Sequence, residues 1–320
     1  MPTPQAGKRL LVVHYSQTNQ LTRAVDALLA PLRNQQGIEL VEARITPRTP
    51  YRFPWRFLDF LDVFPESVYM DPPEMAPPNF DPDEHFDLII LAYQVWFLSP
   101  SLPMTGFLHS ESARVLRGKP VITLIACRNM WLTAQAKMVA ALAKRGAYVL
   151  DNIVLVDSGP AWSTFITTPR WLLTGRKEAF WKIFPSAGVS AQDIADTARF
   201  GRALRNALPS LPAQPKQALL QGLAAARVDP HYIASERIGH RSFLLWGRLL
   251  RALGPPHSPV RRFVLVLYAL FLALMIMTVV PITLFLAILL RPFVGERLKT
   301  AARHLEGPSG SNSDRCAQYL

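Results

Sequence analysis

The chain has 320 residues, half of them hydrophobic, which is enough to bury one substantial core and leave a second region. Its formal charge of +12 is uneven: about 15 basic and 15 acidic residues precede position 160, and about 20 basic and 8 acidic residues follow it. The histidine and cysteine spacings are not those of a metal site, and the sequence contains neither a Walker loop nor a G-x-S-x-G elbow. These observations exclude the common classes of metalloenzyme, NTPase and hydrolase.

Apolar runs alternate with helical patterns over residues 1–208. The runs predict strands at residues 8–15, 38–45, 86–93, 119–126 and 148–156, and the helical patterns predict helices at 21–33, 102–116, 131–145 and 191–208. Ser190 can cap the last helix, with Asp193 at its third position. Because the strands are almost continuously apolar, we expect a five-stranded parallel sheet covered by helices on both faces.

Two long segments, residues 46–85 and 159–188, interrupt this alternation. Both are rich in aromatic residues, which argues against disorder and favours a functional role. Residues 209–262 begin with a Pro-rich linker and include, at 241–253, the pattern of an amphipathic helix lying at a membrane interface. Residues 291–320 predict a basic segment and then, from position 307, a disordered tail.

Residues 263–290 contain no charged side chain. A helix of that length exceeds the roughly 30 Å hydrocarbon core of a bilayer, so the segment predicts a membrane helix. Pro281 predicts a kink, and both a single span and a re-entrant hairpin stay open. Basic residues flank both ends, so the positive-inside rule gives no orientation.

The location of the first domain follows from its ends and its cysteines. The apolar run near the N-terminus is too short for a signal peptide, and the two cysteines, Cys127 and Cys316, give no disulfide framework. We therefore expect the domain at the cytoplasmic face of the inner membrane. The basic excess of the second half suits an anionic membrane surface, and nucleic acid is not an expected partner.

Residues 15–22, with the sequence YSQTNQLT, join the first predicted strand to the first predicted helix. The free N–H groups and the dipole of a helix N-terminus favour a phosphate there, and Ser16, Thr18 and Thr22 add three hydroxyls. The loop has no Lys or Arg, so its donors are neutral. An ordinary capped turn would have the same pattern.

The motif Y-S-Q-T-x-Q-L-T after a strand resembles the FMN-phosphate loop of flavodoxin-like proteins, whose usual form is S/T-x-T-G-x-T. The resemblance extends to about residue 208 and implies a flavodoxin-like doubly wound sheet, with a C-terminal amphipathic and transmembrane helical appendage. Asn19 stands at the usual Gly, and Asn is among the few other residues that tolerate a left-handed backbone. The residues implied to bind FMN in this loop are Ser16, Gln17, Thr18, Asn19, Gln20, Leu21 and Thr22.

Ligands of such folds lie at the carboxyl ends of the strands, which predicts two further flavin-binding loops. The loop after the third strand contributes Val95, Trp96, Phe97 and Leu98. Trp96 or Phe97 is expected to stack on the flavin ring, and packing of both in the core is the alternative. The loop after the fourth strand contributes Arg128 and Asn129 to the polar edge of the flavin.

Residues 50–68, PYRFPWRFLDFLDVFPESV, together with the phosphate loop and the membrane segment, resemble the dialkylresorcinol condensing enzymes of bacterial aryl-lipid and aryl-polyene gene clusters. The resemblance implies an FMN-dependent oxidoreductase that aromatises a lipidic cyclic diketone, with a ketosynthase and an acyl carrier protein as partners. The fold supplies no condensing Cys-His pair, so condensation itself is not expected. A membrane NAD(P)H:quinone reductase and a flavin-free scaffold are the alternatives, and a homodimer is an open possibility.

The sequence does not identify the catalytic residue. The candidate bases are Asp59, Asp62, Glu66, His14 and His109. The aromatic residues of the first insertion either wall a substrate pocket or cover an edge of the sheet; they are Tyr51, Phe53, Trp55, Phe57, Phe60 and Phe64.

Overall fold

The computed structural model describes residues 7–319, with the side chains of residues 279–281, 283–295 and 297 outside the description. Its sheet follows the order β2-β1-β3-β5-β6, and all four of these pairings are parallel. This is the strand order of a flavodoxin-like doubly wound sheet, so the predicted five-stranded parallel sheet is confirmed. A short sixth strand, which the sequence did not predict, folds back antiparallel on β3. The strands are β1 (Lys8–His14), β2 (Ile38–Arg44), β3 (Leu88–Trp96), β4 (Ser99–Pro100), β5 (Pro120–Cys127) and β6 (Tyr148–Val156).

Helices cover both faces of the sheet. The helix predicted at 191–208 is confirmed but divided at Thr197, and the Ser190 hydroxyl accepts its capping bond from the Asp193 amide at 3.0 Å. The helix predicted at 102–116 ends at His109, after which the chain forms a 3₁₀ turn. The helices are α1 (Gln20–Leu29), α2 (Phe57–Asp62), α3 (Phe64–Tyr69), α4 (Leu102–His109), α5 (Leu132–Ala143), α6 (Ala161–Thr174), α7 (Ala191–Asp196), α8 (Ala198–Ala207), α9 (Pro230–Ala252) and α10 (Pro259–Leu305).

Alternate residues of the strands form two separate cores. Leu10 and Val12 of β1 face a cluster that includes α1 and α8, whereas Leu11 and Val13 face a cluster that includes α4 and α5. The approach of α8 to α1 is so close that a Cβ at Gly201 would lie 1.9 Å from a backbone oxygen of α1. Burial on both faces explains why the strands are apolar along their whole length.

The prediction of a disordered tail after position 307 is wrong. Ser309 is buried, and its hydroxyl donates to a carboxylate oxygen of Asp151 at 2.7 Å. Backbone bonds then tie Asn312 to Ala224 and Arg315 to Gly222. The polar composition concealed this outcome because hydrogen bonds, one of them to a buried carboxylate, hold much of the tail, while Tyr319 packs against the sheet core.

The C-terminal helices pack against the first insertion. The helix predicted at 241–253 begins earlier, at Pro230, and α9 and α10 enclose a third cluster with Phe64 and Val68 of α3. α10 is one uninterrupted helix, and the side chain at Pro281, where a kink was expected, lies outside the described residues. Among the described helices, the segment Pro259–Thr278 is long and apolar enough to cross a membrane, with a mean hydropathy of 2.2.

Candidate functional site

The carboxyl ends of β1, β3, β5 and β6 meet at one edge of the sheet and surround a cavity of about 180 Å³. In parallel sheets with this strand order, such an edge is where ligands bind. Seven of the predicted site residues line the cavity: Gln17, Thr18, Gln20, Val95, Trp96, Phe97 and Arg128. Residues that the sequence analysis did not assign to the site also line it, including Gln94, Cys127, Asp157, Thr168, Trp171, Leu172 and Gly188.

The loop between β1 and α1 has the left-handed backbone expected of its Asn. Asn19 has a φ of 59°, and its carbonyl accepts the first hydrogen bond of α1 from the Arg23 amide at 3.0 Å. The side chain of Asn19 is exposed, so its role lies in the backbone turn. Leu21, by contrast, is fully buried in the sheet core and does not face the cavity.

Three hydroxyls of this loop are buried without a hydrogen-bond partner among the described residues: Ser16 Oγ, Thr18 Oγ1 and Thr22 Oγ1. Buried polar atoms in proteins are almost always paired, so three unpaired hydroxyls in seven residues are exceptional. They lie at the N-terminus of a helix of ten residues, where the helix dipole favours negative charge. The cluster therefore fits the oxygens of a phosphate.

A cation also reaches this loop, although the loop sequence contains none. Arg44, at the end of the neighbouring strand β2, donates to the backbone oxygen of Ser16 at 3.4 Å. Parallel pairing sets His14 of β1 level with Arg44, which explains why the guanidinium arrives beside the loop. Both strands were predicted from the sequence, and pairing their ends would have predicted Arg44 beside the loop.

The loop after β3 is a tight hairpin with unusual backbone angles. Phe97 and Leu98 both have positive φ, 47° and 58°, as a type I′ turn requires, and non-glycine residues adopt this conformation only under constraint. Phe97 is held by rings of the first insertion, with centroids 5.0 Å from Phe60 and 5.3 Å from Phe64. Leu98 is buried and turned toward Gly239 of α9, away from the cavity.

An aromatic group from the first insertion packs against Trp96, which lines the cavity. Trp96 has edge contacts with Tyr51 and Trp55, at centroid distances of 5.2 and 5.8 Å. The indole N–H of Trp55 donates to the Gln17 side chain at 3.0 Å, which ties the insertion to the phosphate loop. The insertion therefore forms part of the site, and Trp55 and Phe60 line the cavity while Phe64 belongs to the cluster with α9 and α10.

The second insertion closes the opposite side. The Trp55 amide donates to the Leu172 carbonyl of α6 at 2.8 Å, so the two insertions meet over the sheet edge. Thr168 and Trp171 of α6 line the cavity beside Gly188. The length and the tryptophans of this insertion predicted a functional role but no position in the site.

Arg128 and Asp157 supply opposite charges at the ends of β5 and β6. Arg128 lies over the ring of Phe165 at 4.3 Å, and burial lowers its pKa. Asp157 accepts bonds from the amides of Gly159 and Gly188 at 2.8 and 2.7 Å, and burial raises the pKa of its carboxyl. Asn129 does not line the cavity but lies beside Tyr232 of α9, so its predicted contact with the ligand has no counterpart here.

Burial also raises the pKa of the Cys127 thiol, which keeps it protonated at neutral pH. A protonated thiol is a poor nucleophile.

None of the five candidate bases lines the cavity. Asp62 and Glu66 form ion pairs with Arg261, at 2.7 and 2.6 Å, and Asp59 pairs with Arg262 at 3.1 Å. His14 is buried at the end of β1. The ring of His109 lies with its Nδ1 2.9 Å from the Thr105 carbonyl oxygen. The carboxylate that does line the cavity is Asp157, the residue directly after β6.

The cavity is small for a complete ligand, since ligand pockets usually measure about 300–1,000 Å³. The phosphate loop fits an anion as it stands. Trp55, Phe60 and Trp96 line the remaining space.

No family model matches the chain, and no curated protein matches it. The fold is similar to those of solved flavoproteins. A flavoprotein in complex with FMN from Lactobacillus acidophilus is 15% identical, with 47% of this chain and 93% of that chain covered and a TM-score of 0.35. A flavodoxin from the domain Archaea is 11% identical, with 63% and 99% covered and a TM-score of 0.35. A Megasphaera elsdenii flavodoxin is 14% identical, with 45% and 84% covered and a TM-score of 0.27. With scores in this range, the fold assignment rests on the strand order and not on these similarities.

Proposed function

We propose that this protein is an FMN-dependent oxidoreductase held at the cytoplasmic face of a membrane, where it aromatises a lipidic cyclic diketone. The observation that carries the proposal is the cluster of three unpaired hydroxyls, Ser16, Thr18 and Thr22, at the N-terminus of α1. A phosphate pairs all three at once and also gains the dipole of the helix.

The rest of the site suits the flavin of such a cofactor. Trp96 and Trp55 present flat apolar surfaces at the mouth of the cavity, against which an isoalloxazine ring can stack. Arg128 provides a cation for the electron-rich edge of the ring. Bound FMN supplies a hydride acceptor, so the chemistry available to the site is a two-electron oxidation or reduction.

Aromatisation of a cyclohexanedione removes one hydride and one proton from adjacent carbons and leaves a resorcinol ring. The protein must then accept the proton, and we assign this role to Asp157, because its carboxylate lines the cavity. Its raised pKa makes it a better proton acceptor than an ordinary exposed carboxylate. The two backbone N–H groups that bind it fix its position.

The lipidic character of the substrate is supported by the apolar helix beside the site. α10 packs against α2 and α3, the same insertion that closes the cavity. A substrate with long alkyl chains partitions into the bilayer, so a flavin site attached to a membrane helix meets it where it is concentrated. The resemblance of residues 50–68 to dialkylresorcinol enzymes indicates the same substrate class, with a ketosynthase and an acyl carrier protein upstream.

The test uses the purified, detergent-solubilised full chain loaded with FMN under anaerobic conditions. A dialkylcyclohexane-1,3-dione should bleach the oxidised flavin spectrum and yield the matching dialkylresorcinol in equal amount. Asp157→Asn should slow bleaching without loss of FMN, whereas Gln36→Ala, on the exposed surface before β2, should have no effect. Bleaching by NADH with reduction of an added quinone, and none by the dione, would refute the proposed substrate.

A further inference from the structure

The two ends of α10 are held by the same domain. Near its start, the Arg261 side chain is fully buried between Asp62 and Glu66 of the first insertion. At its other end, Ala302 is buried in the sheet core, and the Glu306 carboxylate accepts a bond from the Val228 amide at 3.1 Å. Between these ends lies the uncharged segment 263–290.

The register between α9 and α10 shows that α10 is too long to run straight between these contacts. Only residues 253–258 join the two helices, which pack along each other, so they run antiparallel. Trp246 of α9 contacts Tyr268 and Phe271 of α10 at centroid distances of 5.2 Å each. Val228 precedes Trp246 by 18 residues, so a straight helix packed along α9 would pass Val228 about 18 residues after Tyr268. The residue that contacts Val228 is instead Glu306. About 20 residues, or roughly 30 Å of helix, are in excess.

This excess sets a limit on how far α10 departs from the domain. With about 38 residues of helix, roughly 57 Å, between two points about 27 Å apart, an excursion that goes out and returns reaches at most about 25 Å, which is less than the roughly 30 Å hydrocarbon core. A helix that crosses a bilayer would have its ends on opposite sides. α10 has both ends on one domain.

We propose that α10 enters a single leaflet of a phospholipid bilayer and returns to the same side, so that the protein is monotopic. The described part of the segment has the exposed apolar side chains that such insertion requires: Phe263, Leu270, Leu274 and Met277 are each 60% exposed or more. Leu245 and Leu249 extend the apolar surface onto α9, among the arginines of that helix. When these leucines enter the leaflet, the neighbouring arginines of α9 reach the phosphates of anionic lipids.

This inference rests on the membrane attachment in the proposed function and not on its flavin chemistry. The test uses inverted inner-membrane vesicles from cells that express full-length Cys127→Ser/Cys316→Ser protein with one added cysteine. The three positions are Gln36→Cys in the domain, Met277→Cys in the apolar segment and Lys299→Cys beyond it, all exposed in the structure. The probe is a maleimide that does not cross membranes.

We expect Gln36→Cys and Lys299→Cys to be labelled to the same extent from the same face. Met277→Cys should be labelled only after detergent is added. Labelling of Gln36→Cys and Lys299→Cys from opposite faces would show a spanning helix and overturn the inference. Labelling of all three without detergent, or loss of the protein from floated vesicles, would overturn it equally. The flavin content is read in vesicles that carry the parent chain, because Cys127 lines the cavity, so failure of FMN binding is distinguishable.

Discussion

Removing an unpaired hydroxyl of the phosphate loop should have opposite effects on the stability of the apoprotein and on its affinity for FMN. Replacing Thr18 or Thr22 by Val keeps the shape of the side chain and exchanges the hydroxyl for a methyl group. In the protein without FMN this hydroxyl has no partner, and an unpaired buried hydroxyl costs about 1–3 kcal/mol. Each substitution should therefore leave the free energy of unfolding of the apoprotein unchanged or raise it by about 1 kcal/mol.

The same substitutions should weaken FMN binding. A hydrogen bond to a charged group contributes about 1.5–3 kcal/mol, so each variant should raise the Kd for FMN about 10- to 100-fold. The assays are quenching of FMN fluorescence on titration with apoprotein, and urea unfolding of the apoprotein in detergent. Thr197→Val is the matched control, because the buried Thr197 hydroxyl donates to the Asp193 carbonyl at 3.0 Å.

The control should lose about 1 kcal/mol of stability and keep its affinity for FMN. The reasoning is refuted if the loop variants bind FMN as tightly as the parent. It is equally refuted if they destabilise the apoprotein as the control does, since the hydroxyls would then already be paired.

Three further predictions concern the backbone at Asn19, the partly buried Lys137 and the ion pairs of Arg261 near the start of α10. Asn19→Ala should lower the free energy of unfolding by about 1–2 kcal/mol because the backbone there is left-handed, whereas Asn19→Gly should change it little; equal losses in urea unfolding would contradict this. Burial lowers the pKa of Lys137 from 10.5 to about 8, so between these pH values the folded chain binds fewer protons than the unfolded chain and stability rises with pH. Lys137→Met should abolish up to about 3 kcal/mol of that rise, and an unchanged pH profile of unfolding would contradict the assignment. Arg261→Met leaves Asp62 and Glu66 without their cation and should cost about 3–5 kcal/mol in urea unfolding, and a loss below 1 kcal/mol would show that the ion pairs are not buried together.

Most of the sheet could be predicted because its signal is local and strong. Strands buried on both faces are apolar along their length, so β1, β3, β5 and β6 were recognised within a few residues. The left-handed turn at Asn19 was also predictable from the loop sequence, whereas phosphate binding by this loop stays a prediction. The strand order then brought the loops after these strands to one edge of the sheet.

The rest of the site depends on contacts between distant segments, which a single sequence does not reveal. Trp55 and Leu172 are far apart in the chain, and only the folded structure shows that one backbone bond joins their insertions over the cavity. Arg44 reaches the phosphate loop from a neighbouring strand. Asp62 and Glu66 had the residue type of a catalytic base, but their partner Arg261 follows about 200 residues later in the chain.

The tail after position 307 illustrates the same limit in another way. Its composition is that of a disordered segment, yet Ser309 satisfies the buried carboxylate of Asp151, and the amides of Leu219 and Leu220 complete the group. A buried carboxylate requires several donors, and composition does not show where they come from.

The central claim is that the loop at residues 15–22 holds the phosphate of FMN. The most direct measurement is the visible absorption spectrum of the purified, detergent-solubilised protein, followed by denaturation and identification of the released cofactor. We expect a yellow protein that releases one FMN per chain, and an apoprotein that recovers the same spectrum when FMN is restored. A colourless protein that FMN does not reconstitute would contradict it.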